Sequence, residues 1–90
     1  MDKTVELVQE RGKTHGRFED HAYCTQDLKR TLDEHLLLRA QRGQPNLTDM
    51  QHESIEMILH KIGRIVAGNS SFQDHWDDIA GYAKISNGSY

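Results

Sequence analysis

The sequence predicts an all-α protein, built as a small bundle of about four helices and completed by oligomerisation. Apolar residues recur at three- and four-residue spacing in the long segments, which is the period of an amphipathic helix. Glycine-containing breaks separate these segments, and no stretch alternates as a strand does. Short connections between amphipathic helices favour a helical bundle.

Length and composition predict one domain over residues 1–90 with a limited core. A chain of 90 residues with 36% apolar and 28% charged residues is too apolar to be disordered. Its small size nevertheless leaves little apolar surface to bury within one copy. We therefore expect a homo-oligomer.

Charge and cysteine content limit the partners and the compartment. The net charge of −3 supplies no basic field, which argues against duplex DNA. No apolar run approaches the roughly 18 residues of a membrane span, and Cys24 is the only cysteine. We expect a cytoplasmic protein that binds no membrane.

The first two helices are predicted over residues 3–11 and 18–42. Gly12 follows the first helix as its C-terminal glycine. The second carries an apolar ladder at four-residue spacing and ends at Gly43-Gln44-Pro45. The ladder consists of Cys24, Leu28, Leu32 and Leu36.

The third helix, residues 48–67, has the clearest periodicity. Thr48 and Gln51 have the spacing of a capping box. At about 100° per residue, six apolar residues share the predicted core face, opposite a polar face. The core face is Ile55, Ile58, Leu59, Ile62, Ile65 and Val66, and the polar face is Glu53, Glu56, His60 and Arg64.

The fourth helix is predicted over residues 72–85, with Ser70 or Ser71 as its cap and a frayed tail over 86–90. Its predicted buried face is Phe72, Trp76, Ile79, Ala80 and Ala83. The Trp76 indole is expected to anchor the core, with its N–H on a hydrogen-bond partner.

Acidic residues on the last two helices form the candidate metal site. Glu53 and Glu56 lie about one turn apart, and Asp74 and Asp78 have similar spacing on the next helix. If these helices are antiparallel, the four carboxylates can face one another and hold Mg²⁺. The competing interpretation is a solvated polar face stabilised by i,i+4 pairs such as Glu56–His60.

Basic and aromatic residues nearby supply the candidate ligand contacts. Lys61 and Arg64 are expected to neutralise a phosphate. His60, Trp76 and Tyr82 are second-tier contacts, and Tyr82 is equally compatible with a half-buried packing role. His15 lies in the glycine-flanked segment 12–16, which is interpreted either as a loop over a ligand or as a plain turn.

Several longer motifs resemble a family of short phage and prophage proteins of unknown function. The motifs are Glu10-Arg11-Gly12-Lys13-Thr14-His15-Gly16 with Phe18, His60-Lys61-Ile62 with Arg64-Ile65, Gly68-Asn69, and Asp74-His75-Trp76 with Asp78-Ile79-Ala80-Gly81-Tyr82-Ala83-Lys84. The resemblance spans nearly the whole chain. It implies a phage origin and action in the host cytoplasm, with no stated activity.

A more distant resemblance is to the all-α, MazG-like nucleoside triphosphate pyrophosphatases. Their four acids on two helices bind Mg²⁺ for hydrolysis of nucleotides to monophosphate and pyrophosphate. Glu53 and Glu56 match the first acid pair, and Asp78 with Tyr82 matches the end of the second. His75 stands where the other acid is expected; either Asp74 substitutes for it from one turn away, or Asp74 and Asp77 serve together in a shifted register.

Two functions are therefore predicted. The first is binding of a nucleotide-type phosphate ligand, with Mg²⁺ as the implied cofactor; any turnover would be a Mg²⁺-dependent nucleotide phosphohydrolysis. The alternative is a non-enzymatic interaction module, an inhibitor or adaptor that acts on a host protein through an acidic helical surface.

Overall fold

The computed structural model describes residues 3–87, with only the backbone at Glu6, Val8, Glu10 and Arg11. These residues form α1 (Lys3–His15), α2 (Phe18–Gln41), α3 (Asp49–Ala67) and α4 (Gln73–Ser86), with no strand among them. The all-α prediction is confirmed. Of the predicted frayed tail, residues 88–90 lie outside the described part of the chain.

Two of the predicted helix ends have the expected local chemistry. The Thr48 hydroxyl accepts from the Gln51 N–H at 3.1 Å, and the Gln51 side chain accepts from the Thr48 N–H at 3.0 Å, so the capping box is confirmed. At the end of α2, Gly43 has a φ of 78°. Its N–H bonds to the Ala40 carbonyl while the Gln44 N–H bonds to the Arg39 carbonyl, which is a Schellman motif.

Two other predicted boundaries are wrong. Gly12 lies inside α1, and the helix continues to His15 before Gly16, at φ 79°, ends it. A glycine within a helix costs only about 1 kcal/mol relative to alanine, which packing of the helix end can outweigh. Neither Ser70 nor Ser71 caps α4; the cap residue is Phe72, and Asn69 organises the turn by accepting from the Ser71 and Phe72 N–H groups.

α3 is the central helix of an open layer. α2 and α4 both pack on α3, and within residues 3–87 their backbones make no close approach to each other. Gly63 and Glu56 contact α2, whereas Lys61 contacts α4. At about 100° per residue, these positions lie on opposite flanks of α3. α1 packs on α2 and α3.

The predicted core is wrong in its detail. Among the described residues no apolar side chain is fully buried, and the buried side chains are His21, Thr25, Ser54, Lys61 and His75. Val66 of the predicted α3 core face is 69% exposed, and Trp76 of the α4 face is 49% exposed. The other five residues of the predicted α3 face are half-buried, so the neighbouring helices cover that face only in part.

The described helices are too short or too polar to match a membrane span. None of them combines enough length with enough apolar character to cross a bilayer.

Candidate functional site

Polar side chains form the contact between α2 and α3. We call this contact the polar seam and define it as His21, Thr25 and Lys29 of α2 with Glu56, His60 and Gly63 of α3. The three α2 residues are spaced four apart, so they follow one face of the helix. The two helices approach closely because Gly63 has no side chain: an added Cβ would collide with Thr25 Oγ1 and lie 2.9 Å from His21 Cδ2.

Hydrogen bonds in the polar seam define the protonation of its histidines. His21 Nε2 donates to the His60 carbonyl at 3.3 Å, so this nitrogen carries a proton. Lys29 Nζ donates to His60 Nε2 at 3.2 Å. Because an ammonium group can only donate, His60 Nε2 is unprotonated and His60 is neutral.

The electrostatics of the seam agree with neutral histidines. Burial lowers the pKa of His21 despite the opposing hydrogen bond to His60, and the positive charges of Arg64 and Lys61 add to the lowering. Burial also lowers the pKa of His60, and the neighbouring Lys29 ammonium lowers it further.

One predicted metal acid, Glu56, belongs to the same seam. Its Oε2 lies 3.7 Å from Lys29 Nζ, and its Oε1 lies 3.5 Å from His52 Nε2. The His52 contact has the i,i+4 spacing of the competing interpretation, a solvated polar face, whereas the Lys29 contact joins α3 to α2, which that interpretation did not include. Glu53, three residues earlier, is exposed.

The second pair of predicted acids is divided between an ion pair and solvent. Lys61 is 9% exposed, and its Nζ lies 2.9 Å from Asp78 Oδ2. The hydrogen bond from Lys61 lowers the pKa of Asp78. Asp74 is exposed. Lys61, predicted to contact phosphate, is thus paired with one of the predicted metal acids.

Possible metal ligands do not gather at one point over residues 3–87. In this range no three His, Cys, Asp or Glu side chains are gathered in a way that could hold a metal ion. The assignment of Mg²⁺ to Glu53, Glu56, Asp74 and Asp78 stays a prediction.

The predicted ligand contact His15 lies where α1, α3 and α4 meet. The Asn69 N–H donates to the Thr14 carbonyl at 3.0 Å, and His75 Nε2 donates to the same oxygen at 3.3 Å. The ring centroids of His15 and His75 are 4.8 Å apart in an edge-on arrangement. His75 is only 1% exposed, and its hydrogen bond to the Thr14 carbonyl links α4 to the end of α1.

Two glycines allow this junction to close. A Cβ on Gly16 would collide with the Ala67 carbonyl, and a Cβ on Gly68 would collide with the Gly16 and His15 backbone. We call these contacts the Gly16–Gly68 junction. His15 and Gly16 belong to one of the sequence motifs and Gly68 to another, so two motifs that are distant in the chain meet at this packing contact.

The remaining predicted ligand residues lie on α3 and α4. Trp76 Nε1 donates to the Ser70 carbonyl at 2.8 Å, so the predicted hydrogen-bond partner is confirmed, but the prediction of a buried core anchor is wrong because the residue is 49% exposed. Tyr82 and Arg64 are half-buried. The structure therefore brings His60 to the α2 side of α3, while Trp76 and Tyr82 lie on α4 and the Arg64 charge acts on His21 and His60 and also on Asp78.

Sequence reasoning missed the contribution of α2 to this region. His21, Thr25 and Lys29 continue the face on which Leu28, Leu32 and Leu36 lie, at about 100° per residue. A helix face that passes from leucines to polar residues indicates a polar helix–helix contact. The change from leucines to polar residues along this face of α2 was the sequence signal that could have predicted the contact.

The apolar side chains leave an open surface on the molecule. A groove of about 520 Å³ runs between α2 and the end of α3. It is lined by Asp20, Tyr23, Cys24, Asp27, Leu28, Val66 and Ala67. Tyr23 and Val66 are 75% and 69% exposed, so large apolar groups project beside this groove.

Comparison of the chain with models of protein families, with curated proteins and with solved structures finds no match.

Proposed function

We propose that this chain is a non-enzymatic protein-interaction module that acts as a homo-oligomer. The observation that supports this most directly is the exposure of its large apolar side chains, together with the lack of a fully buried one among the described residues. Contiguous exposed apolar surface is typical of interaction sites. The partner implied by the phage-family resemblance is a host protein.

The outer side of α4 is the proposed surface for that partner. Asp74 and Asp77 are exposed there, and the small residues Ala80 and Gly81 give a partner close access to the helix. Trp76 lies on the flank of the same surface and is 49% exposed. Tryptophan is a frequent interface hot spot, and the carboxylates favour a basic partner.

Affinity capture from host lysate tests this surface with matched variants. Ala80→Arg adds a large cation at an exposed helix position, and Asp77→Lys reverses a surface charge; both are expected to abolish capture without unfolding the protein. Glu53→Ala, at an exposed acid of α3, is the control and is expected to retain capture. Loss with Glu53→Ala and retention with Ala80→Arg would contradict the proposal.

Binding of a nucleotide-type phosphate is the second candidate. It is supported by the cationic groups beside the polar seam: Lys29 Nζ lies 3.2 Å from His60 Nε2, and the Arg64 charge adds to the lowering of the pKa of both seam histidines. An anion would complement these cationic groups. Mg²⁺ and the acids Glu53 and Asp78 belong to this candidate, as does any phosphohydrolase activity.

Thermal unfolding with nucleotides, in the presence and absence of Mg²⁺, separates the two candidates. A ligand that binds only the folded state raises the transition temperature. The nucleotide candidate predicts a rise that requires both components and is lost in Glu53→Ala and Asp78→Ala. No rise in any combination, or an equal rise in these variants, would reject it.

A further inference from the structure

Tyr23 lines the groove between α2 and the end of α3 and is 75% exposed. We infer that the groove binds Tyr23 of a second copy of this chain, so that two copies form a dimer about a two-fold axis. This inference rests on the oligomeric part of the proposed function and is independent of the partner proposed for α4.

The surface area of a single copy supports a second copy as the occupant. The accessible surface is 6635 Å² for a chain of 10.4 kDa. Compact monomers of this mass expose roughly 5,400 Å². The excess, about 1,200 Å², exceeds the approximately 800 Å² that each partner buries in a standard interface.

The shape of the molecule agrees with that excess. The Cα radius of gyration is 15.5 Å, and the molecule extends 54 × 29 × 22 Å. A compact domain of 90 residues has a radius of gyration of about 12 Å. A single copy is therefore an open layer with more surface than its mass requires, which pairing of two copies would reduce.

The position of Tyr23 gives the proposed geometry. A two-fold interface brings the same patch of both subunits together. Tyr23 of each copy can then occupy the groove of the other copy. Tyr23 projects beside the groove, with its side chain 75% exposed. The apolar wall of Cys24, Val66 and Ala67 suits the ring of the second Tyr23.

The polar lining gives the tyrosine hydroxyl a partner. Asp20 and Asp27 line the same groove. Carboxylate oxygens accept hydrogen bonds, and an O–H donor to a carboxylate forms a short, charge-assisted bond. The hydroxyl of the second Tyr23 is therefore expected to donate to one of these two acids.

Sedimentation equilibrium on the full chain tests the dimer. The wild-type protein is expected to show twice the mass of 10.4 kDa, with dissociation on dilution. Tyr23→Ala removes the projecting ring, and Val66→Asp places a third acid in the groove. Both positions are exposed in one copy, so we expect folded proteins whose dimer dissociation constant is raised at least about thirtyfold, as for loss of an interface hot spot.

Leu37→Ser is the matched control. Leu37 is 60% exposed on the same helix, 14 residues and about 21 Å along it from Tyr23. We expect this variant to sediment as the wild type. A monomeric wild-type protein at every concentration, or dissociation by Leu37→Ser with none by Tyr23→Ala, would overturn the inference.

Alkylation of Cys24 locates the contact. Cys24 lines the groove, so its reaction rate in wild-type protein is expected to fall as the concentration rises and the dimer forms. In Tyr23→Ala the rate is expected to be independent of concentration. A dimer that leaves the Cys24 rate unchanged would place the interface elsewhere, and a monomer that still captures a host protein through α4 would refute only the dimer.

Discussion

The close approach of α2 and α3 predicts opposite effects for two alanine substitutions. Gly63 and Gly81 both lie inside helices, at α3 and α4. A Cβ at Gly63 would meet Thr25 Oγ1 and come within 2.9 Å of His21 Cδ2, whereas a Cβ at Gly81 would meet nothing within 4 Å. Gly63→Ala therefore forces the seam apart, and Gly81→Ala fills open space.

The magnitude follows from two terms. Replacing glycine by alanine inside a helix gains about 1 kcal/mol in both variants. Overpacking a tight contact costs about 1–3 kcal/mol, and only Gly63→Ala incurs it. The difference between the two variants cancels the helix term, so we expect Gly63→Ala to be less stable than Gly81→Ala by about 1–3 kcal/mol.

Thermal and urea unfolding, at one protein concentration, measure this difference. For a domain of this size, 1 kcal/mol corresponds to a shift of about 4–8 °C in the unfolding midpoint. Thr25→Ala removes the atom nearest the new methyl group, so Gly63→Ala combined with Thr25→Ala should recover part of the loss in a double-mutant cycle. Equal stability of Gly63→Ala and Gly81→Ala would refute the predicted close approach.

Three further predictions concern the polar groups of the helix contacts. Thr25 Oγ1 is buried without a hydrogen-bond partner. Thr25→Val should therefore raise the free energy of unfolding, measured in urea, by about 1 kcal/mol. A lower free energy of unfolding would show that the hydroxyl is hydrogen-bonded. The pKa values of His21 and His60 are lowered by folding, so the unfolded chain binds more protons as the pH falls below about 6.5. Stability should be complete above that pH and then decline by at most about 1.4 kcal/mol per pH unit for each histidine; a decline unchanged by His21→Gln would contradict this assignment. Asp78→Asn leaves the Lys61 ammonium, 9% exposed, without its partner and should lower the unfolding midpoint. Adding Lys61→Met should restore much of that loss. An unchanged midpoint for Asp78→Asn alone would show that the ion pair does not contribute to stability.

Much of the helix pattern follows from local sequence signals. The capping box at Thr48 and the glycine end of α2 depend on residues within a few positions, so they were predictable. The end of α1 was not. Gly12 and Gly16 are both plausible stops, and the contact of Gly16 with Ala67, distant in the chain, distinguishes them.

The candidate site was predictable only in its residue types. Periodicity placed Glu56, His60 and Arg64 on one polar face of α3, and that grouping agrees with their positions. It also placed this face toward solvent or a ligand. The Lys29 ammonium of α2 contacts both Glu56 and His60, and no local pattern on α3 indicates a partner 27 or more residues earlier.

The apolar stripe of α3 shows the same limit. Helical period identifies which residues share a face, but burial depends on what packs over that face. α2 and α4 cover the flanks through Gly63 and Lys61, and Val66 remains exposed between them. A one-dimensional pattern contains no information on which side a second helix approaches.

The sequence by itself determined that the protein is helical, where its long helices lie, and which residues of α3 share a polar face. Those properties depend on side-chain spacing and on caps within one or two turns. Tertiary structure alone decided that Lys61 pairs with Asp78, that His75 hydrogen-bonds to the Thr14 carbonyl beside the Gly16–Gly68 junction, and that a groove remains open between α2 and the end of α3. Each of these contacts joins residues far apart in the chain, and their energies depend on the relative positions of whole helices.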